Sequence, residues 1–163
     1  SGNDFFGYSI GFLVILPTWA AMIFLYSVSP WLLLATMAIV WVADIGAYFS
    51  GRAFGRHKLA PTISPGKTWE GVVGALLGVG VYGLCLLVYS PVKSPLHWGQ
   101  LAVILPLLTV ISVLGDLFES LLKRQVGIKD SSGLLPGHGG VLDRIDSLTS
   151  TLPLAALLVY FFV

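Results

Sequence analysis

Between Ser120 and Asp146 the chain reads SLLKRQVGIKDSSGLLPGHGGVLDRID, which gathers four cations, three carboxylates, a histidine and a glycine pair in an otherwise apolar sequence. Lys123, Arg124, Lys129 and Arg144 are of the types that neutralise phosphate oxygens, and Asp130, Asp143 and Asp146 are hard oxygen donors for a divalent metal. Cations and carboxylates together point to metal-assisted phosphate chemistry. Asp143 and Asp146 stand three apart, on one face of a helix that starts near His138-Gly139-Gly140. Such a pair can share Mg²⁺, which keeps substrate phosphates in its shell. The alternative is an ordinary acidic helix start, favoured by the helix dipole; the neighbouring cations tip the balance to metal. The GLLPGHGG turn lets backbone approach a ligand closely. His138 is a candidate phosphate contact or proton donor there, against the commoner role of a hydrogen-bonding histidine.

Three further places carry polar residues where they are costly. Asp116 and Glu119 repeat the three-residue spacing after a long apolar run. Carboxylates at a helix C-terminus oppose the dipole, so a metal or Lys123 and Arg124 must compensate them; a solvated face is the competing account, stronger for Glu119. Asp44, in WVADIGAYFSGR, lies within an apolar stretch where a charge at mid-bilayer costs about 2.5 kcal/mol or more. It is either functional or a structural ion pair with Arg52 or Lys67. Ser64-Pro65-Gly66-Lys67-Thr68 ends like a phosphate-binding P-loop, but the first glycine of that motif would fall on Pro61 and no strand is predicted ahead of it. The segment still offers backbone N–H groups, Lys67 and two hydroxyls to an anion ahead of a helix, unless Thr68 or Ser64 merely caps that helix. Arg52, Arg56 and Lys58 most simply fit a lipid-headgroup surface or a charge bias across a membrane, with substrate binding the second reading.

What positions these residues is a set of apolar runs. The 163 residues are 56% hydrophobic and 10% charged, with a mean hydropathy of +0.88, which excludes an ordinary soluble domain. No charged residue or histidine occurs from Phe5 to Ala43, room for two helices of roughly 20 residues. Unbroken apolar blocks exclude the alternating pattern of a membrane β-barrel. The expectation is an all-α integral membrane bundle of about five helices: Ile10 to Tyr26, Trp31 to Phe49, Gly71 to Tyr89, Gln100 to Leu114 with an amphipathic extension to Glu119, and Leu148 onward. The polar connections Gly51 to Glu70 and Ser120 to Ser147 then share one side and hold eight of the nine Lys and Arg, which makes that side cytoplasmic. Glycines at 71, 74, 78, 80 and 83 give the third span a face for close helix packing, within the chain or between copies as a homo-oligomer. Cys85, the sole cysteine, excludes an internal disulfide and is expected to pack as a small hydrophobe. No secretory signal is read at SGNDFF, and the end inside an apolar run suggests part of a longer chain.

The order Ser, Lys-Arg, Lys-Asp, His-Gly-Gly, Asp-Arg-x-Asp closely resembles the signature of the phosphatidate cytidylyltransferases (CDP-diacylglycerol synthases), bacterial members especially. Ala43-Asp44-Ile45-Gly46-Ala47-Tyr48 and Ser64-Pro65-Gly66-Lys67-Thr68 resemble the same family in the same order, so the likeness runs from Trp41 to Thr149. The resemblance implies one transmembrane catalytic domain over 1–163, with further membrane helices ahead of it in family members. It implies transfer of a cytidylyl group from CTP to phosphatidate, giving CDP-diacylglycerol and pyrophosphate, in the bacterial inner membrane with the site facing the cytoplasm. The partners implied are CTP, phosphatidate and membrane lipids, with no nucleic acid, and the cofactor is Mg²⁺. The expected metal ligands are Asp116, Asp143 and Asp146, with Asp44 a further candidate. Lys123, Arg124, Lys129 and Arg144 are the expected catalytic clamps. Ser64, Lys67, Thr68, His138, Gly139 and Gly140 are expected to touch substrate. A transporter or channel whose buried Asp44 and Asp116 line a pathway is the alternative, and a structural subunit with lipid-binding basic loops is a weaker third.

Overall fold

The computed structural model describes residues 2–89, 98–125, 127 and 142–162, with the backbone alone for 2–10, 98 and 142–144. Five helices are joined in part by a small hairpin: α1 (Gly2–Val28), α2 (Pro30–Phe54), β1 (Lys58–Ala60), β2 (Ser64–Thr68), α3 (Trp69–Tyr89), α4 (Trp98–Gln125) and α5 (Leu142–Phe162). All five are long and apolar enough to cross a membrane. At 1.5 Å per residue even the 21 residues of α3 reach about 31 Å, the thickness of a hydrocarbon core. Only 17 to 33% of each apolar span is buried inside the bundle. The outward surface is instead large and apolar, with Leu13, Leu77 and Val88 each more than three-fifths exposed. Water would penalise such a belt, whereas lipid solvates it; the chain is a multi-spanning membrane protein.

Apolar periodicity gives the helices but not their ends. The first helix starts earlier and the second runs on to Phe54, so that Arg52 is helical and not in a loop. The fourth does not stop at Glu119 but continues to Gln125, carrying Ser120, Lys123 and Arg124 with it. The last begins at Leu142, ahead of the expected Leu148. A helix that leaves the hydrocarbon keeps its own hydrogen bonds, so polar residues at its end do not terminate it.

The expected loop from Gly51 to Glu70 contains an antiparallel hairpin, with Lys58 opposite Thr68, Ala60 opposite Ser64 and an irregularity between. Ser64-Pro65-Gly66-Lys67-Thr68, expected as a loop, is strand β2. The hairpin is clamped to the start of α3: Trp69 N–H donates to His57 O at 3.0 Å, and Glu70 Oε1 lies 2.7 Å from His57 Nδ1.

The centre of the bundle joins Leu25, Val40, Val79 and Leu152 to buried hydroxyls. Thr36 and Thr109 each donate to the carbonyl four residues back at 2.8 Å, and Thr151 does so at 2.7 Å, which satisfies a hydroxyl away from water. Thr18 also reaches across from α1 to Thr149 O on α5 at 3.1 Å. α2 and α3 approach closely, where a Cβ on Gly46 would lie 2.7 Å from Gly74 O and one on Gly74 would run into the Ser50 side chain. The glycine face of the third span is therefore used within the chain at Gly71, Gly74 and Gly78, while Gly83 meets Leu105 of α4 and Gly80 faces open space. Cys85 departs from expectation: it is exposed on the outside of α3 and not packed in the interior.

Candidate functional site

The spans alternate in direction, so the C-terminal ends of α2 and α4, the hairpin and the starts of α3 and α5 all meet at one end of the bundle. A cavity of about 470 Å³ lies there, lined by Asp44, Tyr48, Arg52, Ser64, Lys67 and Asp116 among others. Each side chain is placed by its element. Asp44 is ten residues before the end of α2, below the polar end, and Asp116 sits nine residues before the end of α4. Because α4 continues past it, Asp116 is not at a helix C-terminus, and the compensation expected from a terminal partner comes from elsewhere.

It comes from Lys67. Strand β2 ends at α3 and holds Lys67 over the cavity, with Nζ 2.6 Å from Asp116 Oδ2 and 3.4 Å from Val113 O. Both partners are mostly covered, at 21% and 30% exposure, so the attraction is screened less than on a surface. The structural alternative for Asp44, an ion pair with Arg52 or Lys67, does not form: Lys67 goes to Asp116, and Arg52 Nη1 donates to Tyr48 Oη at 2.8 Å. Lys67 still attracts Asp44 at longer range, while Asp116 and Asp146 repel it.

Asp146, in the first half of α5, is also repelled by Asp116 and attracted by Lys123. Its Oδ1 accepts from Ser147 N–H at 2.6 Å. Three carboxyl groups on three helices thus lie near enough to repel one another. Lys67 is in direct contact with one of them, and Lys123 is also committed to Glu119 at 3.3 Å. Glu119 is not the solvated residue it was expected to be; its side chain is 14% exposed. An excess of acid in a partly desolvated place is unfavourable unless a cation joins it.

The remaining candidates divide. Thr68 is buried and its Oγ1 accepts from Gly71 N–H at 3.1 Å, so it caps α3 while also lining the cavity. Arg124 Nε donates to Ile63 O at 3.3 Å, which ties the end of α4 to the hairpin turn. Lys129, Asp130, His138, Gly139 and Gly140 lie outside the described residues, as do the side chains of Asp143 and Arg144, whose backbone belongs to the first turn of α5. Among the described residues no three metal-ligating side chains converge on one point. Sequence reasoning left Tyr48 out of the site and put a lipid surface or charge bias ahead of substrate binding for Arg52. The signal was present, since Asp44, Tyr48 and Arg52 are spaced by four and share one face of α2.

The cytidylyltransferase family model matches residues 4–162. The chain belongs to that family. As a cytidylyltransferase-family chain it is 49% identical over 155 residues to a Pseudomonas aeruginosa protein named phosphatidate cytidylyltransferase, covering 93% of this chain and 56% of that one. Proteins of the same name from Haemophilus influenzae and Staphylococcus saprophyticus are 54% and 45% identical over 81% and 78% of the chain and 46% and 48% of their own lengths. The family chain thus spans about half the length of the curated relatives it matches. Within it, the cavity carries two of the three segments that bear the resemblance, around Asp44 and Lys67.

Proposed function

We propose that this chain supplies a catalytic centre that transfers a cytidylyl group from CTP to phosphatidate, releasing pyrophosphate and leaving CDP-diacylglycerol in the membrane. The observation that carries the reading is the cavity in which Lys67 from the hairpin and carboxylates from α2 and α4 meet, in a chain of the cytidylyltransferase family. The acceptor needs little activation, because a phosphate monoester has its second pKa near about 6 and is a dianion at neutral pH. One of its oxygens attacks the α-phosphorus of CTP; the bond from that phosphorus to the bridging oxygen breaks, and the electron pair leaves with pyrophosphate. The barrier is repulsion between two polyanions together with charge growing on the leaving group, which positioned cations lower.

The donor set fits Mg²⁺. Asp44, Asp116 and Asp146 offer only hard carboxylate oxygens, they repel one another, and Asp143 lies one turn before Asp146 on α5. Magnesium is usually held by one or two carboxylates and completes its shell with water and phosphate oxygens, so a tight three-residue cluster is not required. When bound, the ion would neutralise phosphate oxygens and orient the polyphosphate. Lys67 would then be free to turn from Asp116 to a phosphate oxygen, and Lys123, which attracts Asp146, would serve the same purpose. Lys129, Arg144 and the His138-Gly139-Gly140 turn complete the proposed clamp. The site faces the cytoplasm of a bacterial inner membrane in this reading, with the cation-rich end inward.

The test is conversion of CTP and phosphatidate to CDP-diacylglycerol by the purified protein in lipid nanodiscs, measured on this chain and on the full product of its gene. Product that requires Mg²⁺ and disappears in Asp146→Asn supports the reading. A folded full-length protein that makes no product overturns it.

A further inference from the structure

Of the other cations described at this end of the bundle, Arg56 and Lys58 do not line the cavity and three have a protein partner: Lys67 has Asp116, Lys123 has Glu119, and Arg124 has the Ile63 carbonyl. Arg52 differs. It lines the cavity, and its described partner is a neutral phenol, with Nη1 donating to Tyr48 Oη at 2.8 Å. Among the described residues no carboxylate pairs with it. Its position is also different. Lys67 sits inward, on the carboxylates, while Arg52 lies in the last turn of α2, on the same helical face as Asp44 and Tyr48.

Tyr48 belongs both to the cavity wall and to the outside of α2. It lines the cavity and is 57% exposed, and its neighbours on α2, Ile45 and Phe49, belong to the apolar lipid-facing belt. The Tyr48 and Phe49 rings meet edge to face with centroids 5.5 Å apart. On this wall the cavity therefore borders the outward apolar surface of α2, at the depth where an interfacial tyrosine sits. A molecule whose chains lie along Ile45 and Phe49 would bring its head to Arg52, whose guanidinium fork matches two phosphate oxygens.

We propose that Arg52, positioned by Tyr48, binds the phosphate of the lipid acceptor at this lipid-bordering wall, while the inward cations serve the nucleotide. The inference deepens the proposed function and rests on it for the identity of the acceptor. It assigns the two anionic substrates to different walls of one cavity.

The experiment uses the full gene product in nanodiscs, with Arg52→Gln, Arg52→Lys and Tyr48→Phe. The apparent KM for phosphatidate, varied as its mole fraction in the lipid, is compared with the KM for CTP. Arg52→Gln should raise the former about tenfold or more, the loss expected for a charge-assisted bond to phosphate, and leave the latter unchanged. Arg52→Lys should recover part of the loss, because it restores the charge without the fork. Tyr48→Phe should fall between wild type and Arg52→Gln. A second readout needs no turnover: short-chain phosphatidate should bind the wild type more tightly than Arg52→Gln, and diacylglycerol should bind both alike. A rise in the KM for CTP instead would assign Arg52 to the nucleotide, and a fall in kcat alone with unaltered binding would make it structural; either overturns the proposal. A wild type inert with CTP and phosphatidate would sink the proposed reaction, while the binding comparison would still decide whether Arg52 holds a lipid phosphate.

Discussion

Lys67 and Asp116 are brought from a hairpin and a distant helix into one ion pair at the cavity. Each was identifiable alone, Asp116 as a carboxylate after an apolar run and Lys67 in a segment suited to anions. Their 2.6 Å contact depends on a hairpin and a distant helix converging, which no local spacing encodes. The contact also separates stability from catalysis. Lys67→Met leaves Asp116 half-buried without its cation, so it should lower the unfolding temperature of the substrate-free protein, and Asp116→Asn in the same chain should return part of the loss. That non-additivity is the signature of a direct pair, and a thermal melt in detergent measures it. Activity should behave oppositely, the double variant being no better than either single one. Asp116→Asn alone should reduce turnover at least about a hundredfold, the scale of removing one preorganised charge from a transition state. Additive melts would mean that the pair contributes nothing to the fold.

At the scale of the element, the helices followed from apolar runs because lipid forces a spanning segment to satisfy its own backbone, but the hairpin did not. Ser64-Pro65-Gly66-Lys67-Thr68 carries proline and glycine, both depleted in strands, and only pairing with Lys58–Ala60 and docking on α3 make it one. The glycines of α3 were readable as a group and not one by one. Gly74 packs where a Cβ would overlap the Ser50 side chain, whereas Gly80 has nothing within 4 Å. Gly74→Val should therefore force α2 away from α3, reducing the yield of monodisperse protein and lowering its melting temperature. Gly80→Ala should leave both unchanged or slightly improved, as alanine favours helix over glycine by roughly 1 kcal/mol. Size-exclusion chromatography with a melt distinguishes them. Equal tolerance at the two positions would mean that the close approach of α2 and α3 is not what holds the bundle. Since α2 carries Asp44 and α3 follows directly on Lys67, a displaced α2 should also cost activity in whatever Gly74→Val protein still folds.

For the whole molecule, the direction in which the bundle sits in the membrane decides whether its cavity can meet a nucleoside triphosphate. Among the described residues, the Lys and Arg whose side chains are placed, Arg52, Arg56, Lys58, Lys67, Lys123 and Arg124, all belong to the end that carries the cavity, and cytoplasmic segments are enriched in these residues. Cations retained for phosphate binding would gather at the site whichever way it faced, so the direction is decided by a measurement that does not count them. An independent reading comes from single cysteines in a Cys85→Ser background, which removes the one natural thiol. Ser29 forms the turn between α1 and α2 at one end, and Lys58 lies on the hairpin at the other, exposed. In intact cells a membrane-impermeant maleimide should label Ser29→Cys and spare Lys58→Cys; after the membrane is permeabilised both should react. The reverse pattern would put the carboxylates and Lys67 outside, away from cytoplasmic CTP. No agreement of motifs could then rescue the proposed reaction, since the substrate would have no route to Asp116.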